Sequence, residues 1–337
     1  MNRSERIAGA IIFTIGALCL KNSEAGATDR PSFSNPVQCN LGEHCWVQNL
    51  VDFDNGPAHS DPFCGPATYN GHKGTDIRVA TIGELEAGIP IRAMADGIVL
   101  GLRNTMPDRL VENGGDIERI KGKECGNGVF IAHPGNGNWS TQYCHMQSGS
   151  IRVSKGQQVK RGDVLGFMGL SGHSTFPHLH VSVRKGKEIV DPITGRAASQ
   201  DCKTDADSLQ SLWDKKTRQQ IQNASSAIIA SGFSSTPVDS ATVMKNSVAP
   251  ATRSTPIIFY ATFINVRKGD RVKLTVNGSN GFLATSPDEP FIANKAQATV
   301  YTGRRTPIKQ GDVYQGTAKL VRNGKVIAEK SIGPTEF

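Results

Sequence analysis

The sequence predicts a mainly β chain: an antiparallel β-rich first domain, a short helical segment, and a smaller C-terminal domain resembling a β-sandwich. Three observations carry that prediction. The 337 residues include 36 Gly and 17 Pro, spread without a collagen period, which suits short strands joined by tight turns. Short β-branched runs bounded by glycine recur across residues 71–192 and again across 257–330. Only one stretch, 205–231, reads as a convincing helix, and a Ser/Thr/Pro/Ala-rich segment separates it from the second β region. With 37% hydrophobic and 20% charged residues, global disorder is excluded, as is a chain spanning a membrane many times.

The segments follow in order. Residues 1–27 read as a signal peptide. Arg3 and Arg6 precede a 14-residue apolar run, shorter than the ~20 residues a membrane span needs, and Ala25-Gly26-Ala27 closes it as a cleavage site. Residues 28–65 form a loop-rich leading segment with Cys39, Cys45 and Cys64. Residues 66–202 form the first β domain, with strands expected at 75–79, 91–93, 97–102, 129–132, 141–145, 164–168 and 178–183. The charge-mixed stretch 103–124 interrupts them as a long surface loop beside a site. A helical segment occupies 203–233, with Asp207 or Ser208 as cap, Leu209, Leu212 and Trp213 at helical spacing, and Gly232 as stop. Residues 234–255 read as a linker. The domain at 256–337 has strands expected at 257–264, 271–276, 298–301, 316–321 and 325–330, with Asn323-Gly324 as a type I′ hairpin turn.

Charge and cysteine usage bear on compartment and partners. Cleavage after Ala27 removes three basic and two acidic residues, so the formal charge falls from +8 to +7. That diffuse positive surface attracts any polyanion. Scattered basic residues and 6% aromatics leave no stacking platform, so nucleic acid is not an expected partner. Cleavage also removes Cys19 and leaves six cysteines: Cys39, Cys45, Cys64, Cys125, Cys144 and Cys202. An even set in an exported chain reads as disulfides. Cys125 and Cys144 flank an expected hairpin and are the best pair, the Cys39/Cys45/Cys64 cluster supplies another, and Cys202 finds no partner by spacing.

The chemistry-bearing residues are histidines. In His72-Lys73-Gly74-Thr75-Asp76, a turn entering a strand can bring an imidazole and a carboxylate onto one metal. In His178-Leu179-His180, strand alternation turns both imidazoles to one face while Leu179 faces the core. Together these supply zinc-type ligands. His133 reads as a hydrogen-bonded strand end, His173 lies on a Gly/Ser loop, and His44 and His59 have no partner spacing.

Taken in order, H-x-x-x-D at 72–76, Tyr143-Cys144-His145, and Ser174-Thr175-Phe176-Pro177-His178-Leu179-His180 resemble the lysostaphin/LytM-type zinc endopeptidases of bacterial cell walls. The resemblance covers residues 71–183. It implies one Zn²⁺ per chain on His72, Asp76 and His180, water in the open fourth position, and His145 and His178 as the catalytic pair. It further implies an exported, periplasmic or extracellular hydrolase of peptidoglycan peptides, with no stable membrane anchor once the signal is removed. Phe176 stands where the family often has Gly, and Met146 where Leu is usual. A lipoyl carrier is excluded because no lysine lies just after Lys160-Arg161-Gly162-Asp163, where Phe167-Met168-Gly169-Leu170 stands, and a two-His-one-carboxylate iron oxygenase by its different spacing. The remaining alternative is a catalytically silent relative that binds the wall or activates other hydrolases. Retention of all five positions favours the enzyme.

Overall fold

The computed structural model describes residues 30–135, 137–204, 210–222, 226–279 and 281–337. The expected signal peptide, Cys19, and the expected helix residues Asp207, Ser208 and Leu209 lie outside them. The fold is mainly β, with antiparallel sheets, as the sequence predicts.

The first region contains β1 (Trp46–Asn49), β2 (Thr75–Arg78), β3 (Pro90–Arg92), β4 (Gly97–Arg103), β5 (Asn127–Ala132), β6 (Trp139–Met146), β7 (Gln158–Val159), β8 (Val164–Phe167), β9 (His178–Lys185) and β10 (Glu188–Val190). Its main sheet runs β1-β2-β9-β6-β5-β4-β7, with β10 added to β9, and β3 pairs β8 separately. Alternation decides which side chains meet the core. In β9, Leu179, Val181 and Val183 are buried, joining Ile77, Val129, Ile131 and Tyr143 in one apolar cluster. The intervening positions 178, 180, 182 and 184 face the opposite side of the sheet. Tyr143 is wholly buried, and its hydroxyl accepts from the Met94 amide at 2.9 Å, so its polar end is satisfied inside the core.

Two expectations for this region change. The 103–124 stretch carries a helix, α1 (Gly114–Ile120), capped by Asn113, whose side chain accepts from the Gly115 and Asp116 amides. The leading segment adds β1 to the sheet edge beside β2, because Val47 and Leu50 join the core. Three disulfides bind the region: Cys39–Cys45, Cys64–Cys202 and Cys125–Cys144. The last is the expected hairpin pair. Cys202 closes onto Cys64 across 138 positions, a partnership no local spacing could announce.

The helix expected over 205–231 is largely overturned. Among described residues, only α2 (Lys215–Gln222) is helical, with Asp214 capping it through the Thr217 amide. The Leu212 carbonyl instead accepts from the Phe33 amide, and its own amide donates to the Pro192 carbonyl. Ala227–Ser234 is strand β11, including Gly232, the expected helix stop. Ala227, Ile228 and Ile229 are buried there, and β-pairing satisfies their backbone while covering their side chains. Tertiary pairing thus outweighs the helical reading. Within the expected linker, α3 (Ser240–Met244) is capped by Asp239.

Beyond it, β12 (Ile257–Val266), β13 (Arg271–Gly278), β14 (Leu283–Thr285), β15 (Lys295–Arg304), β16 (Val313–Arg322) and β17 (Lys325–Glu336) complete two sheets, β11-β12-β15 and β14-β13-β16-β17. Phe259, Phe263, Leu274, Val276, Tyr314 and Leu320 fill the core they share. Asn323 and Gly324 both have positive φ (51° and 77°), as the type I′ turn between β16 and β17 requires.

The two β regions touch beside β2. Trp46, Ala80, Ala227, Ile229 and Ile264 form a small apolar cluster across the join. Around it, Gln48 Nε2 donates to Ala296 O (2.8 Å), Asn265 Nδ2 to Gln48 O (3.0 Å), and Arg78 Nη1 to Gln297 Oε1 (2.6 Å). Arg78 is wholly buried. Its guanidinium also donates to Gln48 Oε1 and the Val79 carbonyl, and lies over the Phe176 ring at 4.7 Å.

Candidate metal centre

The register between β2 and β9 sets Asp76 opposite His180 and Arg78 opposite His178. Opposed residues in an antiparallel pair share a face, so the carboxylate and one imidazole meet by pairing alone. His72 arrives from the turn ahead of β2, and Gly74 makes that approach possible. A Cβ at position 74 would lie 2.6 Å from Val181 O and 2.7 Å from His180 Cε1, so any side chain there would collide with the strand and the ring.

Three ligand atoms converge as a result. His72 Nε2 lies 3.0 Å from Asp76 Oδ1 and 3.0 Å from His180 Nδ1, which is itself 2.8 Å from that oxygen. This His72/Asp76/His180 group could hold a metal ion. The outer atoms of each side chain are held too. His72 Nδ1 donates to the Leu50 carbonyl (2.6 Å), Asn49 Nδ2 donates to Asp76 Oδ2 (2.8 Å), and Ser182 Oγ lies 3.1 Å from His180 Nε2. Because a carbonyl only accepts, the neutral His72 ring carries its proton on Nδ1 and aims the Nε2 lone pair at the centre. Such outer contacts fix ring orientation and tautomer in metal sites. Burial works to raise the Asp76 pKa, but the neighbouring His72 and His178 and the hydrogen bonds from His180 and His72 hold it well below the usual carboxylate value.

Beside this group stand His145 and His178, their ring centroids 4.6 Å apart. His145 Nδ1 donates to Ser171 O (2.8 Å), and His178 Nδ1 donates to Phe176 O (2.8 Å). His178 Nε2 lies 3.7 Å from Asp76 Oδ1. Burial, then the neighbouring imidazoles, hold His145 well below the ordinary histidine value, while burial pulls His178 down to about 4. Both rings are therefore uncharged proton acceptors at neutral pH. His145 has φ 61°, a left-handed conformation uncommon for a side-chain-bearing residue. Its amide donates to Cys125 O and its carbonyl accepts from the Gly169 amide, which hold it there. A cleft of about 440 Å³ opens over His72, His145 and His180, with Tyr69 against the His72 ring at 4.5 Å.

All five residues singled out from the sequence thus meet in one place. Residues 70–192 match Peptidase family M23. That segment is an M23 peptidase domain. Among curated relatives, it is similar to the DD-carboxypeptidase/endopeptidase Mpg of Neisseria meningitidis, 36% identical over 109 residues that cover 32% of this chain and 20% of that protein. It is also similar to the peptidoglycan DD-endopeptidase ShyA of Vibrio cholerae, 34% identical over 109 residues, 32% of this chain and 19% of that one. The chain therefore spans about a fifth of the length of either relative. Solved structures similar to the M23 domain include a zinc-containing peptidase from Vibrio cholerae, with 27% identity, TM-score 0.27, and coverage of 44% of this chain and 39% of that one. Another is the catalytic domain of lysostaphin from Staphylococcus simulans, with 23% identity, TM-score 0.27, and coverage of 38% and 82%.

Several residues of the M23 domain's site escaped the sequence reading. Ser182 follows His180 at the strand period and was findable on that ground. Asn49 and the Leu50 carbonyl come from the leading segment, and no local pattern links them to position 72 or 76. His133 is a bonded strand-end histidine, as expected, with Nδ1 2.8 Å from Asp96 O and Nε2 2.9 Å from Thr141 Oγ1. His173 lines the cleft.

Proposed function

We propose that this chain is an exported zinc metalloendopeptidase that hydrolyses peptide bonds in the stems or cross-bridges of peptidoglycan. The observation that carries the reading is the convergence of two imidazoles and one carboxylate on a point beside two further, uncharged imidazoles. Nitrogen and oxygen ligands from three side chains, each held from behind, fit the donor set of a catalytic zinc with an open position. When bound, zinc supplies Lewis acidity to a water and to the scissile carbonyl.

The chain's own groups do the rest. His72, Asp76 and His180 hold the ion. Among the described residues no glutamate pairs with them, and Glu124 at the cleft accepts from the Gly122 amide, so His145 and His178 handle the proton. Each has its Nδ1–H committed to a backbone carbonyl, which leaves Nε2 to take a proton from water as it attacks. The ring that becomes protonated then donates to the departing amine or to the developing oxyanion. The Asp76 carboxylate, 3.7 Å from His178 Nε2, stabilises the imidazolium that forms. Three disulfides suit an oxidising compartment outside the cytoplasm. The DD-endopeptidase relatives support a peptidoglycan substrate.

The test pairs metal content with muropeptide release from purified walls, read by mass spectrometry. His180→Ala is expected to lose zinc and cleavage together. His145→Ala and His178→Ala are expected to keep zinc and lose roughly 10²–10⁴ in turnover. Full activity in both of the latter variants would overturn the mechanism. Stoichiometric zinc in the wild type without any cleavage would favour the silent wall-binding alternative.

A further inference from the structure

We propose that Arg184 is a carboxylate-binding site in the cleft, so that this protein selects wall peptides bearing a free carboxylate away from the scissile bond. The inference rests on the peptidase reading above. It concerns which substrates that site accepts.

Arg184 lies on β9 four residues beyond His180. By the strand's period it shares the face that carries His178, His180 and Ser182, and it lines the same cleft as His72 and His145. At a rise of ~3.3 Å per residue, its Cα stands about 13 Å along the strand from that of His180. That distance is roughly four extended residues of a bound peptide. Its guanidinium makes one protein contact, Nη2 donating to Gln142 Oε1 at 3.2 Å, and it has no ion pair among the described residues. Glu124, also at the cleft, uses its carboxylate to accept from the Gly122 amide.

Gln142 is in turn oriented from behind. Its amide nitrogen approaches Cys125 Sγ of the Cys125–Cys144 disulfide at 3.6 Å, so its carbonyl oxygen is the end presented to Arg184. The guanidinium is thereby anchored at one edge, with most of its five N–H groups uncommitted. A planar fork held this way matches a carboxylate in two-point contact. The floor also continues past Gln142 into a second concavity of about 210 Å³ lined by Arg103 and Phe130, so an extended peptide has a surface to follow. The Arg103 guanidinium donates to the Gly126 carbonyl there and has no carboxylate within ion-pair distance among the described residues, although it acts electrostatically on Glu124.

Two carboxylates of a cross-linked wall peptide have the required chemistry: one on a side chain and one at a chain terminus. Matched synthetic peptides, with both free or with either one amidated, distinguish them. With the zinc-loaded full chain, the free-acid peptide is expected to be cleaved at least ~10-fold better in kcat/KM than the amide that removes the recognised group, the size of one charge-assisted contact. Arg184→Gln should abolish that preference while cleaving the amidated peptide as the wild type does, and Arg184→Lys should keep part of it. In a separate arm, binding of the labelled peptides is measured on His145→Ala chains with and without Arg184→Gln, whose turnover is slowed by roughly 10²–10⁴. The Kd ratio of acid to amide should show the same preference and the same loss.

A preference for the acid that survives Arg184→Gln, or an equal loss on acid and amide, would overturn the assignment and leave Arg184 a structural residue. Cleavage with no acid preference in the wild type would refute the carboxylate site and leave the peptidase reading standing. Arg184-dependent binding of the acid by a wild type that cleaves no peptide would do the reverse.

Discussion

Removing the Gln297 side-chain amide should weaken the join between the two β regions through Arg78. The Arg78 guanidinium is wholly buried, and no carboxylate lies within ion-pair distance of it among the described residues. Neutral oxygens satisfy its charge instead: Gln48 Oε1 at 2.8 Å, Val79 O at 2.9 Å, Ala80 O at 3.3 Å and Gln297 Oε1 at 2.6 Å. The shortest of these crosses from β15 to β2. Gln297→Leu leaves one N–H of a buried cation without its acceptor, and a hydrogen bond to a charged group is worth roughly 1.5–3 kcal/mol. Gln297 is only half-buried, so water recovers part of that bond, and the loss should fall near the lower bound, about 1.5 kcal/mol. The assay is denaturant unfolding followed by tryptophan fluorescence, with Trp46 reporting from the join itself. A double-mutant cycle isolates the pair. In an Arg78→Met background, Gln297→Leu should cost almost nothing, giving a coupling of about 1.5 kcal/mol. A cost under about 0.5 kcal/mol in the wild type, or the same cost in both backgrounds, would refute the bridge.

Other perturbations follow from the same geometry. Gly74→Ala places a Cβ against His180 and the Val181 carbonyl, so zinc affinity should fall ~10–100-fold, read by competition with a chromogenic chelator. Asn49→Leu frees Asp76 Oδ2 and should weaken zinc by a similar factor of ~10, with unfolding midpoints of the metal-free chain showing whether the fold survives. Asp191 is wholly buried, with Oδ2 lacking a partner, and burial pushes its pKa up to about 6. A raised folded pKa means its contribution to stability is full below the unfolded value near 4 and is lost as pH rises through about 6. Asp191→Asn should therefore gain stability relative to the wild type between pH 4 and 7, by up to about 3 kcal/mol, while keeping the Thr194 contacts. A pH-independent difference between the two proteins would refute the assignment.

What the sequence made legible was periodic or local. Alternation in β9 placed His178 and His180 on one face, and the Asn323-Gly324 pair announced its turn through the positive φ both residues accept. The candidate metal ligands were legible because H-x-x-x-D and H-x-H are short spacings that β-pairing preserves. What escaped depended on pairing between distant segments. Ala227, Ile228 and Ile229 read as part of a helix until β12 offers them a partner strand and a core to face. Asn49 and the Leu50 carbonyl support Asp76 and His72 only because β1 docks beside β2. The 103–124 stretch holds a short capped helix whose weak periodicity resembled a loop. In each case tertiary contacts supplied what no window of a dozen residues contained.

The Cys64–Cys202 bond turns the chain between those two residues into a covalent circle. His72, Asp76, His145, His178 and His180 all lie inside it, whereas the second β region hangs outside. By loop-closure entropy, such a ring removes about 5 kcal/mol of freedom from the unfolded chain. A protease that severs the chain beyond residue 202 breaks the covalent link to the appended region but leaves the ring closed. A single cut inside the ring opens it without releasing a fragment. A chain trimmed beyond residue 202 still keeps His72, Asp76 and His180 within one covalent ring.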